Sequence, residues 1–343
     1  MKAMMLKEFN QPLELTDMGT PQIKEDEILL KVRGCGICQT DLKIIGGKIP
    51  REFVRLPGIP GHEIVGEVVE AGGAVSGISQ GDLGVVYICV FCRECEMCLA
   101  GRQNLCLNLK RIGFDLYGGF AEYIRIPAHT FCPFKTNLSL DFPVHELAIT
   151  ADAIGTPYHA ITRFADVKAG QNVLIVGAGG LGIHAVQIAK LYGTKVFVVD
   201  MDLNALSLAK EFGADAAFEP AEAPEAIQEL TDGRGVDAVL EIVGLPETLS
   251  WSLPSLKRGG KLILVGYAPG RPFPLDAMAM HFHEWQIIGS RFVTKSELKQ
   301  IIKLIEDDKI KPVVAKTFPL EQANEALEAL RSKTTLGRIV MTF

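Results

Sequence analysis

A glycine-rich turn between an apolar segment and a helical pattern constrains the fold of this chain more than any other feature. The stretch VLIVGAGGLGIHAVQIA places Gly177, Gly179 and Gly182 in the spacing G-x-G-x-x-G, directly after the apolar run Val173–Val176. In this context the first glycine permits a tight turn, the second lets phosphates approach the backbone, and the third lets the helix pack closely on the strand. We therefore predict a strand–turn–helix unit that binds a dinucleotide.

The sequence from about residue 150 alternates short apolar runs with helical patterns. The runs are Val173–Val176, Lys195–Val199, Ala238–Ile242 and Lys261–Val265, and the helical patterns are Gly182–Tyr192, Leu203–Phe212, Glu222–Leu230 and Thr248–Leu256. This alternation predicts an α/β fold with a doubly wound parallel sheet, because each parallel strand needs a crossover helix. An unrelated α/β protein with a glycine turn is the alternative.

The rest of the chain has a different pattern. Short β-branched segments between Gly and Pro predict a β-rich first domain. From about residue 290 come two helical stretches and a final strand, at Lys295–Glu306, Leu320–Leu330 and Gly337–Phe343. We expect this tail to return to the first domain. The predicted domains are therefore residues 1–150 with 290–343, and residues 151–289.

Asp200 predicts which dinucleotide binds. It ends the segment KVFVVD, eighteen residues after Gly182. A carboxylate there accepts hydrogen bonds from the ribose hydroxyls and repels a 2′-phosphate, so NAD is favoured over NADP. Gly180 and Leu181 complete the predicted cofactor-binding turn with the three motif glycines.

Five of the eight cysteines lie between residues 89 and 106. The spacing C-x2-C-x2-C-x7-C predicts a closed, structural zinc site in a lobe at residues 89–108, with four ligands. The ligands are Cys92, Cys95, Cys98 and Cys106. An iron–sulfur cluster and unligated thiols are the alternatives. A disulfide framework is disfavoured, because the long chain has no secretory signal.

A second metal site is predicted from GCGICQTD, GHEIVGEV and TADAIGTP. Cys38, His62 and Asp152 supply a thiolate, an imidazole and a carboxylate, which suit a catalytic zinc with one open position. Each residue alone also has an ordinary structural role, and Asp152 could instead cap the helix that follows it.

These motifs, together with TPYHA and the terminal LGRIV, occur in the same order as in the medium-chain zinc-dependent alcohol dehydrogenases. The resemblance spans essentially the whole chain. It implies a GroES-like catalytic domain with a Rossmann domain, an active site between them, and two zinc ions per chain. Further roles are implied for single residues: Glu63 as an occasional zinc ligand, Thr40 on the substrate oxygen, Asp41 behind His62, Thr156 near the nicotinamide and Arg338 on the pyrophosphate.

Three positions depart from the pattern of many family members. Asp152 stands where many have cysteine, Lys43 where many have the histidine that ends a proton relay, and Ala205 where a basic residue often holds adenosine. Zinc binding and NAD preference are still expected. Lysine is a poorer proton carrier near neutral pH unless its pKa is depressed.

Charge and hydropathy limit the kinds of partner that the protein can bind. A net charge of −6 gives no electrostatic footprint for nucleic acid or an anionic membrane. The longest apolar run, Val173–Ile183, is far shorter than the roughly 20 residues of a membrane span. We predict a cytoplasmic homodimer or homotetramer that oxidises primary, secondary or polyol alcohols with NAD.

Two other functions remain open at this point. A dehydrogenase of hydroxyacyl-CoA or a cyclic oxoacyl thioester would use basic residues at the mouth of the site, and Lys43, Lys48, Arg51 and Arg55 lie in one stretch. Their alternative is a solvated surface. A zinc-free, non-catalytic relative is the third hypothesis, which the intact set of three ligands opposes.

Overall fold

The computed structural model describes residues 1–134, 142–332 and 335–343. Its strands are β1 (Lys2–Met5), β2 (Glu14–Asp17), β3 (Glu27–Ile37), β4 (Glu63–Ala71), β5 (Leu83–Val86), β6 (Cys89–Val90), β7 (Lys110–Arg111), β8 (Tyr123–Pro127), β9 (Phe131–Pro133), β10 (Asn172–Val176), β11 (Lys195–Val199), β12 (Ala216–Phe218), β13 (Val236–Glu241), β14 (Leu256–Leu264), β15 (Gln286–Gly289), β16 (Val314–Pro319) and β17 (Arg338–Thr342).

The α-helices alternate with these strands mainly in the second half of the chain. They are α1 (Gln39–Ile45), α2 (Glu96–Leu99), α3 (Gly155–His159), α4 (Gly182–Leu191), α5 (Leu203–Glu211), α6 (Ala223–Leu230), α7 (Pro246–Ser252), α8 (Ala277–His283), α9 (Lys295–Glu306) and α10 (Ala323–Arg331). Short 3-10 turns and one π-helical stretch, Ala160–Ala165, complete the helical elements of the described chain. None of the helices described is long and apolar enough to cross a membrane.

The chain forms two compact units. The first comprises Met1–Asp152, Val293–Asp308 and Pro312–Phe343, and the second comprises Ala153–Phe292 and Lys309–Lys311. The tail after Val293 therefore lies almost wholly with the first unit. Each unit has its own sheet.

The second unit contains a six-stranded parallel sheet in the order β12-β11-β10-β13-β14-β15. This is the 3-2-1-4-5-6 order of doubly wound dinucleotide-binding folds. The central strands are fully buried, because helices cover both faces of such a sheet. The strand order reverses between β10 and β13, and at this point such folds bind ligands beyond the carboxyl ends of the strands.

The first unit is built on a sheet in the order β16-β17-β3-β4-β5-β9, with β8 also paired to β3. The long strand β3 pairs antiparallel with β4, β8 and β17. A buried 3-10 segment, Val144–Ala151, packs on β3 and β4. Asp152 directly follows this segment, so the packing of the segment places Asp152 close to β3 and β4.

Most predicted elements match observed ones to within two residues at each end, and three differ more in extent. The predicted helix Leu320–Leu330 is observed as a 3-10 turn followed by α10, which begins at Ala323. The predicted helix Thr248–Leu256 is observed as α7, which begins at Pro246 and ends at Ser252. Proline at the first helical position favours the earlier start. The predicted strand Lys261–Val265 is only the second part of β14, which begins at Leu256 and runs through the charged segment KRGGK.

Candidate active site and structural metal centre

The pairing of β3 with β4 brings two distant segments of the predicted site together. Gly36, near the end of β3, is paired with Glu63 at the start of β4. Cys38 follows β3 directly, and His62 precedes β4 directly. The pairing of these two strands therefore brings the Cys38 thiol and the His62 imidazole together at one end of the strand pair.

Asp41 links the two segments that carry Cys38 and His62. Its Oδ2 accepts a hydrogen bond from the Cys38 backbone N–H at 2.8 Å, and its Oδ1 accepts one from the Gly61 N–H at 3.3 Å. The His62 Nδ1 lies 3.3 Å from Asp41 Oδ1. Asp41 is completely buried, so these contacts compensate its desolvation. The carboxylate thus faces Nδ1 and leaves Nε2 as the ring nitrogen that can bind a metal.

Cys38, His62 and Asp152 form a compact, buried set of three ligands. One ligand atom from each lies within 4.8 Å of the other two. The His62 Nε2 and Asp152 Oδ2 are 3.8 Å apart. A tetrahedral zinc with bonds of about 2.0–2.3 Å keeps its ligands roughly 3.3–3.8 Å apart, so these residues fit zinc. A set of three protein ligands leaves the fourth position open, as catalytic zinc requires.

Arg338 connects this set to a second carboxylate. Its guanidinium donates to Asp152 Oδ2 at 2.9 Å and to Glu63 Oε1 at 2.6 Å. All three side chains are buried. Burial raises the pKa of the Glu63 carboxyl, and the positive charge of Arg338 opposes that rise. The arrangement places one cation between two carboxylates that would otherwise repel each other.

This arrangement differs from the roles that the family resemblance implies. The resemblance places Arg338 on the pyrophosphate, whereas the structure pairs it with Glu63 and Asp152. The resemblance also makes Glu63 an occasional zinc ligand, whereas its carboxylate faces Arg338 and lies outside the set of three ligands. A ligand role for Glu63 and a pyrophosphate role for Arg338 stay predictions.

Gly36 is a second residue that the sequence analysis did not single out. A Cβ atom built on Gly36 would lie 2.0 Å from Glu63 Oε2. Only glycine leaves room for the Glu63 carboxylate at this point of β3. The available signal was a glycine inside a strand pattern, which often marks a close approach of another group.

Asp152 is not the N-cap residue of the helix that follows it. Helix α3 begins at Gly155, its N-cap residue is Ile154, and the Ile154 side chain makes no capping hydrogen bond. Asp152 instead ends the preceding 3-10 segment and is only 8% exposed. A buried carboxylate needs a cationic or metal partner, and Arg338 supplies one.

The four cysteines of the lobe form a second metal-binding group. Their Sγ atoms are 3.6 Å apart for Cys92 and Cys106, and 3.9 Å apart for Cys92 and Cys98 and for Cys95 and Cys106. Zinc–sulfur bonds of about 2.3 Å place tetrahedral thiolates roughly 3.8 Å apart. Backbone hydrogen bonds from Glu94 and Cys95 lower the pKa of the Cys92 thiol to about 6, which favours the thiolate that a metal requires.

We expect Cys95→Ser to lose one of two zinc ions and to lower the thermal midpoint of unfolding. The lobe contains only short elements, so the metal replaces the apolar core that it lacks. Metal analysis by mass spectrometry and a thermal melt measure both effects. Cys132→Ser is the matched control, because Cys132 lies outside both ligand sets. Two tightly bound zinc ions in Cys95→Ser would contradict the assignment.

The predicted dinucleotide turn has the backbone that its glycines require. Gly177 has φ +102°, a conformation that residues with a Cβ rarely adopt. A Cβ on Gly182 would lie 1.9 Å from the Gly177 carbonyl oxygen, whereas the space above Gly179 is open. The turn, with Gly180 and Leu181, leads directly into α4. Its open side at Gly179 is suited to a phosphate.

Asp200 follows β11 and lies beside the glycine turn. Its Oδ2 accepts a hydrogen bond from the Ala178 N–H at 2.6 Å, and its Oδ1 accepts one from the Asp202 N–H at 3.0 Å. The carboxylate therefore fixes the turn in addition to its expected contact with ribose. This second role was not part of the sequence prediction.

The other predicted residues occupy two helices. Thr40 lies in the first turn of α1, where its backbone N–H donates to Cys38 Sγ at 3.4 Å. Thr156 is buried in α3 of the second unit. The Phe114 ring lies 5.4 Å from the His62 ring and forms an apolar wall beside the imidazole.

Comparisons with known proteins agree with this geometry. Residues 24–136 match the alcohol dehydrogenase GroES-like domain family, and residues 180–307 match the zinc-binding dehydrogenase family. An NAD-dependent alcohol dehydrogenase of Sulfolobus acidocaldarius is 36% identical over 99% of both chains. An alcohol dehydrogenase of Geobacillus stearothermophilus is 34% identical over 99% of this chain and 98% of the relative.

A solved structure gives the same result for the fold. The alcohol dehydrogenase of the archaeon Aeropyrum pernix superimposes with a TM-score of 0.94 and 32% identity, covering 100% of both chains. The predicted fold class, a GroES-like domain with a doubly wound parallel sheet, is confirmed. With its two metal-binding groups and its glycine turn, the chain belongs to the zinc-dependent, medium-chain alcohol dehydrogenase family.

Proposed function

We propose that the protein is an NAD-linked dehydrogenase that oxidises a primary, secondary or polyol alcohol and reduces the matching carbonyl. One observation carries the proposal: Cys38, His62 and Asp152 bring three buried zinc-ligating atoms within 4.8 Å of one another. A zinc ion with three protein ligands keeps a fourth position for substrate. Zinc held by these residues would supply a Lewis acid for the alcohol oxygen, and bound NAD would supply the hydride acceptor.

Thr40 and Lys43 are the groups that we propose to move the substrate proton. Both lie on α1, which begins directly after Cys38. The Thr40 hydroxyl takes the proton from the alcohol, and Lys43 is three residues further along the helix, on the same face. Burial lowers the pKa of the Lys43 ammonium. Its neutral form, which alone accepts a proton, is therefore easier to reach than in an exposed lysine.

The acyl-thioester alternative is not favoured by the contacts of the basic stretch. The Arg55 guanidinium lies 4.0 Å above the Tyr117 ring, and Arg51 donates to the Val54 carbonyl. These contacts occupy two of the four charges that would have to bind the phosphates of coenzyme A. The non-catalytic alternative is opposed by the intact ligand set.

A paired measurement tests the proposal. Purified protein is analysed for zinc and then assayed for NAD reduction with primary alcohols, secondary alcohols, polyols and hydroxyacyl thioesters. We expect two zinc ions per chain and turnover with at least one alcohol class, lost when a chelator removes the accessible zinc. Turnover with hydroxyacyl thioesters and with none of the alcohols would refute the proposal and support the acyl-thioester dehydrogenase.

We expect the unmodified protein to prefer NAD, because Asp200 would face the 2′-phosphate of NADP. Asp200→Gly should shift the ratio of kcat/KM values towards NADP. It should also lower the thermal midpoint, since the hydrogen bond to the Ala178 N–H is lost. Asp202→Gly is the control. Asp202 caps α5, so its replacement should lower the stability of the protein without changing the preference for NAD over NADP. Equal kcat/KM values for the two cofactors in the unmodified protein would refute the expectation.

We also propose a homodimer or homotetramer in the cytoplasm. Strand β15 is an edge strand whose outer side has no strand partner among the described residues. Met278 and Phe282 on the neighbouring helix α8 are 66% and 68% exposed. An unpaired edge with apolar neighbours favours association. None of the eight cysteines forms a disulfide, as expected in a reducing compartment. Sedimentation of the purified protein tests the assembly.

A further inference from the structure

A cavity of about 780 Å³ lies within the first unit and is separate from the candidate active site. Its walls are one face of α9, the connection from β8 to β9, and the loop after β4. Ligand pockets typically measure about 300–1,000 Å³, so the cavity is large enough for a small organic molecule. None of the residues proposed above for zinc, NAD or substrate lines it.

Four cations line this cavity. Lys295, Lys299 and Lys303 recur every fourth residue on α9, which places them on one face of the helix, and Arg93 lines another wall. Lys295 Nζ donates to the His129 carbonyl oxygen at 2.5 Å. Within the part of the chain that the structure describes, the side chains of Arg93, Lys299 and Lys303 make no hydrogen bond or ion pair.

Lysines four residues apart on a helix lower its stability when no anion neutralises their charges. Like charges four residues apart on a helix repel each other by a few tenths of a kcal/mol per pair. Burial lowers the pKa of Lys295, and the charge of Lys299 lowers it further. The cavity also has three carboxylates, Asp26, Glu306 and Asp307, so its four cations leave an excess of one positive charge. A bound anion would relieve the repulsion.

His129 adds an independent observation. It lines the cavity, and its Nε2 atom is buried without a hydrogen-bond partner. Phe91 packs edge-on against the ring, with centroids 4.8 Å apart, and so fixes its orientation. Buried polar atoms are nearly always paired in folded proteins, so His129 Nε2 is a polar atom beside the cavity for which the described residues supply no partner.

We propose that this cavity binds a small organic anion that carries phosphate groups. The lysines and Arg93 provide several charge-assisted donors, which phosphate oxygens accept well. Phe131, Ile302 and Val75 give the same cavity apolar surface for the rest of the molecule. The site is separate from the dinucleotide turn, which belongs to the second unit.

The test uses the full, zinc-loaded protein without NAD, because NAD itself carries phosphate groups and would compete for the cavity. Inorganic pyrophosphate is the probe, and titration calorimetry measures its affinity. We expect binding by the unmodified protein and a Kd at least about tenfold higher in Lys299→Glu/Lys303→Glu, because two charge-assisted contacts are lost. Both lysines are exposed, so the variant should fold, and circular dichroism checks this.

Lys195→Glu is the matched control, because it changes an exposed lysine outside the cavity. Its Kd for pyrophosphate should equal that of the unmodified protein. Absence of pyrophosphate binding, an equal Kd in Lys299→Glu/Lys303→Glu and the unmodified protein, or equal loss in both variants overturns the proposal. Citrate is the second probe, and binding as tight as that of pyrophosphate overturns the assignment to phosphate.

Discussion

Asp152→Ala is expected to bind one zinc ion per chain instead of two and to lose nearly all turnover. The remaining ligands, Cys38 and His62, would hold the ion weakly and without fixed geometry. Loss of a Lewis acid that contributes about 4 kcal/mol lowers kcat roughly a thousandfold. Zinc analysis and initial rates of NAD reduction measure the two effects.

Two further variants separate the ligand role of Asp152 from its contact with Arg338. Asp152→Cys restores a good zinc ligand but removes the hydrogen bond to the guanidinium, so zinc and part of the activity should return. Asp152→Asn keeps an oxygen that can accept from Arg338 but is a weaker ligand, so activity should stay low. A fully active Asp152→Ala protein with two zinc ions would exclude the ligand role and make Glu63 the next candidate.

The parts of the fold that could be predicted are those with uninterrupted local patterns. Strand β11 has the predicted bounds, because a buried parallel strand is a continuous apolar run. Helix α9 also has the predicted bounds, because Thr294 and Glu297 form a capping box at its start. Charged residues and glycines obscure the first part of β14, and this strand is longer than its predicted run Lys261–Val265.

The candidate site shows a similar limit. Ligand types and spacings indicated Cys38, His62 and the four-cysteine lobe, since metal chemistry restricts which residues can serve. The partner of a buried carboxylate has no such local signature. Arg338 lies 275 residues after Glu63, and only the pairing of β17 with β3 brings it close. Tertiary register, which the sequence pattern does not specify, decides that contact.

Arg338→Ala is expected to lower the free energy of unfolding by about 3–5 kcal/mol, the usual cost of removing one partner from a buried ion pair. The variant leaves the Glu63 and Asp152 carboxylates buried beside each other without a cation. Their repulsion should also displace Asp152, so the catalytic zinc should exchange faster with a chelator while the four-cysteine zinc stays bound. Denaturant unfolding and zinc release to a coloured chelator measure these effects.

Two controls distinguish this effect from a general loss of charge. Arg33→Ala removes an arginine whose single partner, Glu67, is partly exposed, so it should cost no more than about 1 kcal/mol. Arg338→Lys keeps the charge but cannot donate to both carboxylates in the geometry of a guanidinium, so it should restore stability only in part. Equal losses in Arg338→Ala and Arg33→Ala would mean that the buried arginine does not hold the two carboxylates. Zinc release at the unmodified rate in Arg338→Ala would mean that Asp152 keeps its position without it.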